Sequence, residues 1–94
     1  MALTRINPVR EVSGNGWRAR KVSGVVELRI DGLDASATEV LPSKFTPVTQ
    51  TYVPVSAQST TTAYTPRVAV TLSGHLTAQG YTGKAYGITT YRTT

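Results

Sequence analysis

Thirty of the 94 residues are β-branched: sixteen Thr, eleven Val and three Ile. Branching at Cβ restricts χ1 and suits a pleated, half-buried surface better than a helix. Five Tyr and one Trp share that preference, and good helix formers are scarce. The chain is therefore expected to be all-β. No stretch reaches the ~18 apolar residues of a membrane helix. The opening Met1-Ala2-Leu3-Thr4-Arg5 lacks the apolar run of a secretory signal. Membrane insertion is not expected.

Alternation locates the strands. Asn7-Pro8 and Ser13-Gly14-Asn15-Gly16 are turn and breaker signals, so residues 1–16 read as a lead-in to a β domain over residues 17–94. Trp17 to Val22 and Val25 to Asp31 form a predicted hairpin joined at Ser23-Gly24, with Val26, Leu28 and Ile30 on one face and Glu27 and Arg29 on the other. A short strand is expected over residues 37–41. Pro42-Ser43-Lys44-Phe45-Thr46-Pro47 then makes a stiff corner. Thr49 to Val55 returns to strand spacing, with Pro54 assigned to a sheet edge or a bulge. Residues 56–66 read as a polar loop. Arg67 to Leu72 and Leu76 to Gln79 are strands about the Ser73-Gly74 turn, and Gly80 to Gly83 is another turn before a last strand from Lys84 to Arg92. Six or seven short strands at this spacing predict a small antiparallel β-sandwich or barrel-like fold.

A chain of 10.1 kDa has a thin core, because a domain this small buries only about 60 to 65% of its unfolded surface. There is no cysteine to staple it. Self-association would supply the missing burial and cover edge strands. Trp17, Val25, Val26, Val53 and Val55 are the candidates for a core shared between copies.

Ten Lys and Arg against five Asp and Glu give a net charge of +5. That balance favours anionic partners, whether nucleic acid or acidic wall polymers such as teichoic acid. Catalysis is not expected. One His, no Cys and five scattered carboxylates assemble no nucleophile, base and orienter by any local spacing. The same scatter offers no metal ligand set, Asp31-Gly32-Leu33-Asp34 reads as a turn, and the dispersed glycines make no phosphate loop. No cofactor is expected. For ligand binding, Tyr64 and Tyr81 stand out because they fall in predicted loops, where binding residues collect. Asp34, His75 and Arg67 are added for stacking and hydroxyl hydrogen bonds.

The order of these features resembles a known family. Gly16-Trp17-Arg18-Ala19-Arg20-Lys21-Val22-Ser23-Gly24-Val25-Val26-Glu27-Leu28-Arg29 is similar to the opening hairpin of receptor-binding head domains at the tips of tailed-phage fibres. A Leu-Pro-x-x-Phe-x-Pro corner follows as Leu41 to Pro47, then a strand and Gly turn at Val68 to Leu76, and a closing strand at Tyr86 to Thr93. Thr46 stands where the family often has Arg, and Ser73-Gly74 where it has Asp-Gly. The resemblance, over roughly residues 16–93, implies a homotrimeric head at the tip of a tail fibre or baseplate of a virion. It would sit among other phage tail proteins and recognise a bacterial cell-surface glycan without being an enzyme. A purely structural virion module (fibre, baseplate or capsid decoration) is the alternative. A basic nucleic-acid-binding barrel ranks below both, since the Arg residues are mixed with acids along the strands.

Overall fold

The alternation in Val25 to Ile30 marks the middle of the molecule. In the computed structural model, which describes residues 10–61 and 65–93, seven strands form one antiparallel sheet. They are β1 (Arg10–Gly14), β2 (Trp17–Val22), β3 (Val25–Asp34), β4 (Thr51–Thr60), β5 (Arg67–Val70), β6 (Leu76–Gln79) and β7 (Tyr81–Arg92). Their spatial order is β1-β2-β3-β7-β4-β5-β6, so the last strand is inserted between the third and fourth. The sheet curls into a half-barrel, the barrel-like of the two expected forms.

Period-two alternation gives this sheet two unlike faces. The inner face carries Trp17, Ala19, Val26, Leu28, Ile30, Val53, Val68, Val70, Leu76, Ala85 and Tyr91, all buried. The segment between β3 and β4 crosses that face as a strap, with Leu41, Phe45 and Pro47 buried beneath it. A 3-10 turn at Ser43–Phe45 follows Pro42. Leu41 N donates to Gly74 O at 2.9 Å, Leu76 N to Glu39 O at 3.0 Å, and the buried Tyr91 hydroxyl to Phe45 O. The Leu-Pro corner thus plugs the open side of the half-barrel.

This strap changes the reading of the shared core. Trp17, Val26 and Val53 are buried within the single chain and Val55 partly so; among those five residues Val25 alone is exposed, at 41%. The apolar strand face already has a cover, supplied by the chain's own residues 35–50.

Several boundaries differ from expectation, beginning with Asp31-Gly32-Leu33-Asp34, which is no turn but the bulged end of β3. The lead-in contains β1, paired with β2 from Arg10↔Lys21 to Gly14↔Trp17, and Asn15-Gly16 is its two-residue connection. Residues 37–41 form no strand, only a bridge between Val40 and His75. β4 continues to Thr60 through much of the expected polar loop, because its small Ser, Thr and Ala side chains pair with β7 without needing burial. β7 begins at Tyr81, so Gly80 to Gly83 is not a turn. Gly80 and Gly83 hold φ of 80° and 74° within or beside an irregular stretch of the β4–β7 ladder instead.

Pro54 lies on an interior strand rather than at an edge. β4 pairs with β5 through Thr51 to Pro54 and with β7 from Val55 onward. The proline falls where the strand changes partner, a place where a missing N–H interrupts neither ladder.

Candidate functional site

The end of the sheet where β1 turns into β2 is built by close backbone contact. Gly16 has φ of 84°, and a Cβ there would lie 2.6 Å from the Leu33 Cα and 2.8 Å from Gly32 O. Only glycine lets this turn press onto β3. Asp31 N donates to Gly16 O at 2.8 Å and fixes the contact. On β3 the register with β7 slips between Asp31 and Leu33, with Gly32 at φ of 84°. This is a bulge of the kind that re-aims neighbouring side chains.

The bulge, the β1–β2 turn and the first part of the strap surround an open groove of about 610 Å³. Asp31 and Asp34 line it from β3, Glu39 from the strap, Asn15 from the turn, and Lys84 and Tyr86 from β7. Tyr86 is 53% exposed, and its ring lies beside Gly32, where no side chain displaces it. Glu39 is fixed by two donors to Oε1: Trp17 Nε1 at 2.8 Å and Asn15 N at 3.0 Å. Asp34 Oδ1 accepts from Ser36 N at 2.9 Å and Ser36 Oγ at 2.7 Å. Those two bonds, the backbone one first, hold its carboxyl below the ordinary carboxylate range, and the Lys84 charge adds to them.

The groove therefore presents fixed acceptors, an ammonium, hydroxyls and one open aromatic face. Such a set suits a polyhydroxylated ligand, whose hydroxyls bond the rim while its C–H patch stacks on the ring. Asp34 held ionised is an acceptor and not a proton donor at neutral pH. Among the described residues no three His, Cys, Asp or Glu side chains are grouped to hold a metal ion. The groove is also locally acidic, with three carboxylates against one Lys, in a chain of net charge +5.

Of the four expected ligand residues that are described, Asp34 alone lines this groove. Tyr81 is corrected from loop to core: it opens β7, is buried, and donates from its hydroxyl to Leu33 O at 3.3 Å. Burial, and then the Asp34 charge, raise its pKa. His75 is exposed at the β5–β6 turn, with Nδ1 2.9 Å from Ser73 Oγ. Arg67 sits 4.2 Å over the Tyr52 ring and donates to Gln79 Oε1 at 2.6 Å. Tyr64 lies outside the described residues. Tyr86 and Asn15 were missed because each was read for its local role, as a strand face and as a joint. The signal for Asn15 was present, since Asn-Gly between extended runs is a strong hairpin mark. Compared with protein-family models and with curated proteins, the chain is matched by none of them in sequence.

Proposed function

We propose that this chain is a non-enzymatic saccharide-binding head from the tip of a phage tail fibre or baseplate, acting as a homotrimer on a bacterial surface glycan. The observation that carries the reading is the groove, where the Tyr86 ring and the fixed carboxylates of Asp34 and Glu39 converge. The local acidity directs the groove itself toward neutral or amino sugars rather than an anionic wall polymer.

The trimer part of the proposal rests on a different end of the sheet. Val22 and Val25, 36% and 41% exposed, flank the β2–β3 turn on the outer face. Val25 and Asp31 are six residues apart on β3, roughly 20 Å, so a contact at the hairpin end leaves the groove open.

A glycan array followed by titration calorimetry tests the binding. Tyr86→Ala should weaken the best neutral sugar by about tenfold, the loss of one stacked ring, and Asp34→Asn should weaken it further. No retention of any glycan would instead favour the structural virion module. Light scattering should give a mass near three times 10.1 kDa; a monomer at micromolar concentration would remove the trimer.

A further inference from the structure

The outer face of β1, β2 and β3 is ordered in cross-strand rows. One row sets Glu11 beside Arg20 and Arg20 beside Glu27, so its charges alternate. The next row sets Ser13 beside Arg18, Arg18 beside Arg29, and Arg29 beside Ile88. Here two arginines are direct cross-strand neighbours with no acid in the row. Like charges directly opposite on a sheet are unfavourable. Of the acids on this face, Glu11 pairs with Arg20 and Glu27 with Arg29, each at 3.9 Å, while Asp31 lines the neighbouring groove. Arg18 has no ion pair or hydrogen bond among the described residues. Protection of a sheet edge does not explain it, since β2 lies between β1 and β3. Arg18 and Arg29 line a surface depression together with Arg20, Glu11 and Glu27.

We propose that Arg18 and Arg29 form an oxyanion subsite for the phosphate or carboxylate of an acidic saccharide. The proposal rests on the saccharide reading of the neighbouring groove. Asp31 and Tyr86, which line that groove, are the next cross-strand pair along β3 and β7 on the same face, about 7 Å from Arg29 and Ile88. A polymer can thus lay a neutral ring on Tyr86 and place an anionic group of the adjoining unit between the two guanidiniums. Planar forks converging on one oxyanion are the favoured geometry for such groups. This divides the labour: the acidic groove selects the ring, and the arginine pair selects the charge.

The test uses three fluorescent probes on the intact protein: a glycerol phosphate hexamer, a hyaluronan hexasaccharide, and the carboxyl-reduced, neutral form of that hexasaccharide. At low salt, at least one charged probe should bind about tenfold more tightly than the neutral one, the size of one exposed charge-assisted contact. Raising the salt should erase that preference. The double variant R18Q/R29Q should abolish it while binding the neutral probe unchanged, and R92Q, with one charge lost elsewhere, should retain it. Because the variant relieves a like-charge pair and the Arg29–Glu27 pair it removes is exposed, and so worth little, its unfolding midpoint should not fall. A preference that survives in R18Q/R29Q, or that R92Q loses equally, overturns the subsite. Absence of neutral-probe binding in the unaltered protein counts against the groove reading instead. Single-stranded dodecathymidine bound more tightly than every saccharide, and released by R18Q/R29Q, would assign the pair to nucleic acid and overturn the proposal.

Discussion

Gly16 and Gly24 both hold positive φ, at 84° and 77°, yet they answer to different constraints. Around Gly24 nothing lies within 4 Å of an added Cβ, whereas at Gly16 the backbone of Gly32 and Leu33 fills the space. Gly24→Ala should therefore cost about 1 kcal/mol, the conformational term alone. Gly16→Ala should cost about 3 kcal/mol or more, since backbone must also move. Urea unfolding of the two variants measures the difference, and equal midpoints would contradict the close approach. Two buried tyrosines give a pH dependence. Burial raises the pKa of Tyr91, and burial with the Asp34 charge raises that of Tyr81. The unfolded chain releases these protons near pH 10 while the folded one holds them. Their contribution is complete below that pH and is lost as pH rises through the folded values, so alkaline titration should unfold the protein. Tyr91→Phe should be less stable at neutral pH, because Phe45 O loses its buried donor, and should show a flatter alkaline limb. Asp34 behaves oppositely. Its lowered pKa stabilises the fold above the ordinary carboxylate value, and that contribution fades as pH falls toward the folded one.

At the level of the strands, centrality decides which elements hold. β3 and β7 are paired on both sides, while β1 and β6 end the sheet. Amide exchange should accordingly be slowest in Leu28 to Ile30 and their β7 partners and fastest in β1, with protection of β1 equal to that of β3 as the contrary result. Val53→Ala, at a fully buried position of β4, should cost about 2 kcal/mol. Val55→Pro should cost about 3 kcal/mol, because Val55 N donates to Pro66 O. Pro54→Ala should be nearly neutral by comparison, since the changeover of partners asks for no N–H there. Thermal melts of the three variants check that ranking. Residues 56–60 show why strand ends escaped the sequence: Ser56, Gln58, Ser59 and Thr60 are exposed, so no apolar alternation marks a ladder that backbone hydrogen bonds alone extend.

For the molecule as a whole, the curl of the sheet and the strap across it create both the core and the groove. Val25→Asp, exposed and outside the core, should leave a monomer's stability within about 0.5 kcal/mol yet dissociate a trimer, a split that light scattering and urea unfolding read separately. The β-rich class, the Trp17–Val22 and Val25-initiated hairpin, and the alternating faces of β3 were legible in the chain, because β-branching and period-two patterning act between near neighbours. The positive total charge was equally plain, but its distribution was not. An acidic groove and two arginines side by side in one cross-strand row arise when registers align residues from positions 11 to 88. Tyr81 illustrates the same limit from inside: glycines on either side of its neighbourhood imitate a turn, and only pairing with Thr60 draws it into the core. Local preference thus determined which segments extend. Which residues meet, and which aromatic faces remain open, was decided by long-range pairing and by the strap that occupies the inner face, since neither burial nor electrostatic field is a property of a residue's sequence neighbours.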